Sequence, residues 1–319
     1  MTATVNSLLA VTIASPQPEA LSELLTAGLG WEILADGALG PAHERQWGVQ
    51  PRSAGSHWRV LRAPGSTRGM IRLVRGVARP RSRRFAARWA GVEMVVSDDI
   101  DGLWESLQGF TAFDPWKPPL TMDWSQFGSN LHRACIGRTP GQTHLALTMA
   151  ITKPVDREFP QATARVGHVF ELPLITHEFQ RSRDFYGGVL GMTPILSSSF
   201  DRGPWHGLWQ LREPTPVQLD ILKGDAPGTG LGGIELTGYE IDLIDPEPAQ
   251  RDQFDGGTCM VTYDTVDIEA AFRAVASDRR AQLLSEPHAI DDGLYRGSRC
   301  FAFLGPDGER MELVSRAWS

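Results

Sequence analysis

Four stretches of the 319-residue chain repeat one order of elements: an apolar strand, an amphipathic helix, a glycine turn, then more strands. The first runs through "LLAVTIAS", the helix "PEALSELLTAG" and "LGWEIL". The second opens with "AGVEMVVS" and "DIDGLWESLQGF", the third with "VGHVFELPL" and "HEFQRSRDFYGGVLGM", the fourth with "GTCMVTYD" and "DIEAAFRAVAS". In the helices apolar residues recur at three- and four-residue spacing, as in Leu21, Leu24 and Leu25 or Phe179, Phe185 and Val189, which gives each helix one apolar face. Asp99, Asp101, Asp267 and Glu269 gather at the starts of the second and fourth helices, where the helix dipole favours negative charge. A repeated unit of this kind must bury its apolar faces against another unit. The expectation is an α+β chain of four βαβββ modules.

Each module closes on an apolar strand: "GMIRLVRG", "QTHLALTM", "VQLDILKG" and "RMELVSRA". Aligned on Leu73, Leu145, Leu219 and Leu313, the preceding residues are Arg72, His144, Gln218 and Glu312, all polar. Strand side chains alternate between faces, so these four point away from their leucines, either to solvent or into a cavity. The segment "ITKPVDREFPQATA", residues 151–164, carries two prolines and several charges and marks the expected domain boundary. Domains are expected at 1–152 and 163–319, each of two modules.

Composition removes several classes. A net charge of −7 disfavours a general nucleic-acid binder. The basic run Arg75 to Arg88 has no interleaved aromatic platform and reads as a solvated connector. Cys135, Cys259 and Cys300 are odd in number and widely spaced, which fits neither a disulfide framework nor a zinc knuckle and points to a reducing cytoplasm. The apolar run near the N-terminus has no basic residue before it, so a signal peptide is not expected. No stretch is long and apolar enough for a membrane span.

The third module, "GHVFELPLITHEFQRSRDFYGGVLGM", resembles the opening of a vicinal oxygen chelate module, as found in the glyoxalase/bleomycin-resistance/extradiol-dioxygenase superfamily: a His-led strand, a helix with "S..FY" and a "VLGM" turn. "FLGPDGERMELV", residues 303–314, is similar to that module's closing hairpin. The resemblance is weaker in the first two modules. It implies that paired modules curl into cup-shaped mixed sheets with helices outside, and that the C-terminal cup holds one divalent metal (Fe, Mn, Zn, Ni or Co). It implies His168 and Glu312 as metal ligands, with Gln218 at the last-strand position of the third module. The first-strand position of the fourth module falls near Met260, where the family often has a second histidine and this chain has none. Ring-opening oxygenases of this fold use two histidines and one carboxylate, so lyase or isomerase chemistry is favoured over extradiol cleavage.

In the N-terminal domain the equivalent positions read Ser7 or Ala10, Arg72, Glu93 and His144. An arginine there would repel a cation, so that domain is expected to be metal-free, with Arg72 paired to Glu93 or to an anionic substrate group. Seven of the ten tryptophans lie in this domain, more as core than as pocket. In "WHGLWQL" one face carries His206 and Gln210, the other Trp209. Expected substrate contacts are Trp209, Gln210, Met260, Tyr263, His288 and Tyr295, with Glu312 or His206 moving a proton. Two functions stay open. One is a metal-assisted enzyme on a small, aromatic or oxygenated molecule. The other is a metal-free cup that binds or sequesters a hydrophobic compound. The expected partners are a small-molecule substrate and a second copy in a homodimer, with no nucleotide cofactor, nucleic acid or membrane.

Overall fold

The computed structural model describes residues 5–48, 57–78, 88–125, 131–152, 160–209, 211, 213–225, 232–239, 256–290, 295 and 297–315. Gln210, most of the basic run and residues 153–159 of the 151–164 segment lie outside these residues.

All four modules are present. The first comprises β1 (Val5–Ser15), α1 (Pro18–Glu23) continued by a π turn at Leu24–Gly28, β2 (Glu32–Ala38), α2 (Pro41–Trp47), β3 (His57–Arg62) and β4 (Met70–Arg75). The second comprises β5 (Arg88–Trp89), β6 (Gly91–Val96), α3 (Ile100–Leu107), β7 (Asp114–Asp123), β8 (Leu131–Arg138) and β9 (His144–Ala150). The third has β10 (Val166–Thr176), α4 (Phe179–Gly188), β11 (Thr193–Phe200), α5 (Pro204–Trp209), β12 (Val217–Lys223) and β13 (Gly233–Tyr239). The fourth has β14 (Gly257–Thr265), α6 (Ile268–Ala276), β15 (Gln282–Leu283), β16 (His288–Ala289), β17 (Arg299–Leu304) and β18 (Arg310–Ser315). The acidic helix starts are caps: Asp99 accepts from the Gly102 amide at 3.0 Å and Asp267 from the Ala270 amide at 2.9 Å, each satisfying a donor that the helix leaves over.

The modules pair differently from the expectation. One nine-stranded sheet has the order β15-β17-β18-β14-β1-β4-β3-β2, with β16 on β17, and joins modules one and four. The other has the order β11-β12-β13-β10-β6-β9-β8-β7, with β5 on β10, and joins modules two and three. At each centre two opening strands run antiparallel, β1 beside β14 and β6 beside β10. Each opening strand is flanked in parallel by its own closing strand. Neither sheet therefore belongs to one half of the chain. The apolar N-terminal run is β1, at the middle of its sheet and buried throughout apart from Asn6.

One apolar core lies between the sheets. It takes Val11 and Ile13 from β1, Val92 and Met94 from β6, Leu172 and Leu174 from β10, and Val261 and Tyr263 from β14, together with the apolar faces of the helices. Period-two alternation then turns the opposite faces outward as two cups. The aligned leucines Leu73, Leu145 and Leu313 all lie in this core. The third module matches through Leu236 of β13, not Leu219, because "VQLDILKG" is the strand before the closing one. Gly69 joins the sheets at one edge. Its φ is +61°, its amide donates to Leu8 and its carbonyl accepts from the Val169 amide, and a Cβ there would lie 2.3 Å from the Val169 oxygen. Only glycine fits that contact.

Among the described residues no helix is long and apolar enough to cross a membrane.

Candidate functional site

The first cup, on the sheet of modules one and four, is filled by the protein itself. Glu312 of β18 is fully buried and accepts from five side chains: Gln46 at 3.3 Å, Trp47 at 3.1 Å, Thr262 at 2.8 Å, Tyr295 at 2.9 Å and Arg72 at 3.5 Å. Arg72 also donates to Thr12 at 2.9 Å and to the Tyr295 hydroxyl, and its guanidinium lies 4.6 Å from the Trp47 ring. Trp47 and Gln46 end α2, whose chain dips into the cup. Met260 and Tyr295 pack in the same apolar cluster. The guanidinium supplies the counter-charge to the buried carboxylate, whose acceptor sites are taken. This corrects two expectations: Glu312 is the anchor of a buried charge network, and Arg72 pairs with it and not with Glu93, which lies on the other sheet.

The second cup, on the sheet of modules two and three, is open. It encloses about 770 Å³, counted out to its mouth. Trp124, Met122, Leu196, Trp209, Leu219 and Ile221 form walls, while Ala134 and Ile136 of β8 continue them. Glu93 of β6, Glu171 of β10 and Glu235 of β13 converge inside it, with carboxylate oxygens all within 4.8 Å of one another. The register explains the convergence. Glu93 and Glu171 are direct partners across the central antiparallel seam, and Glu235 lies opposite Pro173 on the parallel neighbour. Thr148 of β9 donates a short hydrogen bond to Glu93. Burial first, then the charges of Glu171 and Glu93, hold the Glu235 carboxyl well above the usual carboxylate range. Burial also raises Glu93, opposed by the Thr148 bond. Three carboxyls this close cannot all ionise without a cation or shared protons.

His144 opens β9 opposite Gly91 and lines the same cup. It is buried, hydrogen-bonds the Ala90 carbonyl through Nδ1 at 3.0 Å, and stacks on Trp116 at 4.6 Å. Burial pushes its pKa down to about 3, so the ring is neutral at pH 7. The first cup thus carries its own cation, and the second carries carboxylates with a neutral imidazole at the start of β9. The donor set fits a divalent ion: three carboxylate oxygens suit hard metals such as Mn²⁺.

The remaining expected residues scatter. His168 lies at the sheet junction over Gly69, its ring 3.0 Å from where a Cβ on that glycine would sit. A bulge between Val169 and Glu171 separates it from the cup face. Gln218 is exposed on the outer face of β12, whose neighbours Leu219 and Ile221 line the cup. Tyr263 is core, its hydroxyl donating to the Gly232 carbonyl at 2.8 Å. His206 is buried against Phe200 and donates through Nε2 to the Thr215 carbonyl at 2.9 Å. His288 sits on the short outer strand β16, its Nδ1 bonded to the Glu286 carbonyl at 2.9 Å. Trp209 does line the open cup. His132, half-buried on β8, lines it too. Sequence reading missed Glu235, Glu171 and the role of Glu93. One signal was available: "IEL" in "GGIELTGY" repeats the "MEL" of the last strand.

The sequence profile described as the Glyoxalase/Bleomycin resistance protein/Dioxygenase superfamily matches residues 165–313, the third and fourth modules. No curated protein sequence matches the chain. Among solved structures, glyoxalase I from Zea mays superposes with a TM-score of 0.64 at 14% identity, covering 97% of this chain and 92% of that one. A putative dioxygenase from Bacillus subtilis gives a TM-score of 0.61 at 14% identity, covering 99% and 87%. The fold is that of a vicinal oxygen chelate protein with four modules. Residues 165–313 match the glyoxalase/bleomycin-resistance/dioxygenase profile, and the whole chain carries the fold of these solved structures.

Proposed function

We propose that the chain is a metal-assisted enzyme acting on a small apolar molecule that bears oxygen, with its site in the second cup. Glu93, Glu171 and Glu235 would hold one divalent cation, which would supply Lewis-acid stabilisation of a developing oxyanion. One observation carries this reading. Corresponding strands build both cups, and where the first has placed Arg72 against Glu312, the second brings three carboxylates together, with no lysine or arginine among the described residues that line it. The walls exclude water and orient the substrate, and His132 is placed to exchange a proton with it. Lyase or isomerase chemistry is favoured over ring cleavage. The set has three carboxylates and lacks the two histidines expected for dioxygen chemistry.

Metal analysis of purified protein, followed by titration with Mn²⁺ and Zn²⁺, tests this. One equivalent per chain is expected, lost in Glu171→Gln. No retained metal after reconstitution overturns the reading. The apolar walls also favour a second reading, a metal-free cup that sequesters a hydrophobic compound. In that case chelators would leave ligand affinity unchanged.

A further inference from the structure

We infer that Trp124 and Phe200 determine the size of the molecule that the second cup accepts: they meet across its mouth, so the site selects a compact apolar body over an extended one. This rests on the proposed function in one respect, that the second cup is the ligand site, and it needs no metal. Strands β7 and β11 are the two edges of the second sheet. In a flat sheet of this width the edges would stand roughly 30 Å apart. Here Trp124, just past the end of β7, meets Phe200, the last residue of β11, with ring centres 6.4 Å apart at 63°. The sheet is therefore curled until its edges touch through this pair. Both rings belong to the apolar cluster of the cup, Trp124 buried in it and Phe200 packed against it.

Each ring is held by its own module. Met122 and Trp124 share one face by alternation, and both are buried and line the cup. The Asp123 carboxylate between them accepts from the Ser125 amide at 2.9 Å, a turn that ends the strand at Trp124. On the other side Phe200 meets the His206 ring edge-on at 6.0 Å, and His206 is fixed by its bond to the Thr215 carbonyl. Trp209, at the end of α5, rests on Tyr239 with ring centres 6.1 Å apart. Helix α5 also packs against β7. One side of the mouth thus comes from module two and the other from module three, and an attractive edge-to-face contact joins them. A ligand that fits against Leu219, Ile221 and the carboxylates lies within this ring of side chains. One that extends further must displace the Trp124 indole. The first cup has no need of such a join, because Trp47 fills it.

The test uses three uncharged phenols of increasing ring number: 4-methylphenol, 2-naphthol and 9-phenanthrol. Binding to the full chain is measured by titration calorimetry, with and without Mn²⁺. Apolar area alone would make 9-phenanthrol the tightest ligand. The unmodified chain is expected to bind it the most weakly of the three. In Trp124→Ala its affinity relative to 4-methylphenol is expected to rise at least about tenfold, and Phe200→Ala should shift the ratio the same way. A ring that served only to hold the fold would, once removed, weaken all three compounds alike. Trp124→Leu keeps apolar bulk at the site and should give a smaller shift of the same sign. It decides the matter if circular dichroism shows that the alanine variant does not fold. An unchanged ratio in the folded variants overturns the inference. So does a 9-phenanthrol affinity for the unmodified chain above that of either smaller phenol, or failure of all three to bind. Metal content of the same samples is measured separately. A sample that takes up no metal but keeps the size order counts against the metal reading alone, and a metal-loaded sample without that order counts against the size inference alone.

Discussion

Two glutamates on corresponding strands, each one step before a core leucine, have opposite situations. Glu312 is surrounded by five donors, Glu235 by two other carboxyls. Removing Glu312 leaves the buried Arg72 charge without its counterion, which costs roughly 3–5 kcal/mol. Glu312→Ala is therefore expected to lower the denaturation midpoint sharply while leaving metal stoichiometry intact, read by chemical unfolding and metal analysis. Glu235→Gln should do the reverse. Relieving like-charge repulsion is expected to stabilise the metal-free protein by about 1–2 kcal/mol, and metal affinity should fall at least about tenfold. His168→Ala is expected to leave metal content unchanged, and a loss of metal in that variant would return the site to the sheet junction. The sequence pointed to the polar residue before the leucine, and alternation made that prediction sound for Arg72, His144 and Glu312. It failed at Gln218 because the third module has a further strand after a stretch rich in glycine. Pairing between distant modules is also invisible locally, so Glu312 and His168 were assigned to one cup although their strands belong to different sheets.

At the scale of elements, the turn between β17 and β18 fastens one sheet to a helix of the other. Asp307 accepts from Thr176 at 2.6 Å, from Ser182 at 2.7 Å and from the His177 amide at 3.2 Å, so it holds the start of α4. Glu309, buried in the same turn, accepts from Tyr186 of α4 and from the Asp307 amide. Burial, then the Asp307 charge, raises its pKa to about 7. A carboxyl whose folded pKa lies above its unfolded value binds more protons when folded. Its contribution is complete below about pH 4.5 and is lost as pH rises through 7. The loss amounts to roughly 3 kcal/mol. Unfolding free energies at pH 5 and pH 8 are expected to differ by less, by about that amount, in Glu309→Gln than in the unmodified chain. The "DG…EL" pattern revealed the hairpin in the sequence, but not that its turn reaches across to another module. The paired short helices tell a similar story. "PAHERQW" and "PWHGLW" both end in tryptophan. Trp47 plugs its cup and Trp209 walls an open one, a difference set by what lies opposite each.

For the whole molecule, the governing feature is that modules one and four share a sheet while modules two and three share the other. Fragments 1–152 and 163–319 are consequently not expected to fold alone, since each would expose both central seams. Mixed together they should complement, giving the circular dichroism and elution volume of the intact chain. Independent cooperative unfolding of either fragment would contradict that expectation. The module count and the α+β class were readable because strand and helix periods are local properties. Which module neighbours which depends on long-range burial that no window of sequence contains.

The nested pairing also sets an order of assembly on the ribosome. Once β13 has emerged, modules two and three have every strand of the second cup, so the site can close on adjacent segments. Strand β1, made first, has to wait for β14, and the register Thr12 to Met260 spans most of the chain. During that interval β1 presents an unpaired edge and the strands of module one an apolar face, the form of surface that draws chains into aggregates. Slow completion of the first cup would thus limit yield, while the second cup is finished early.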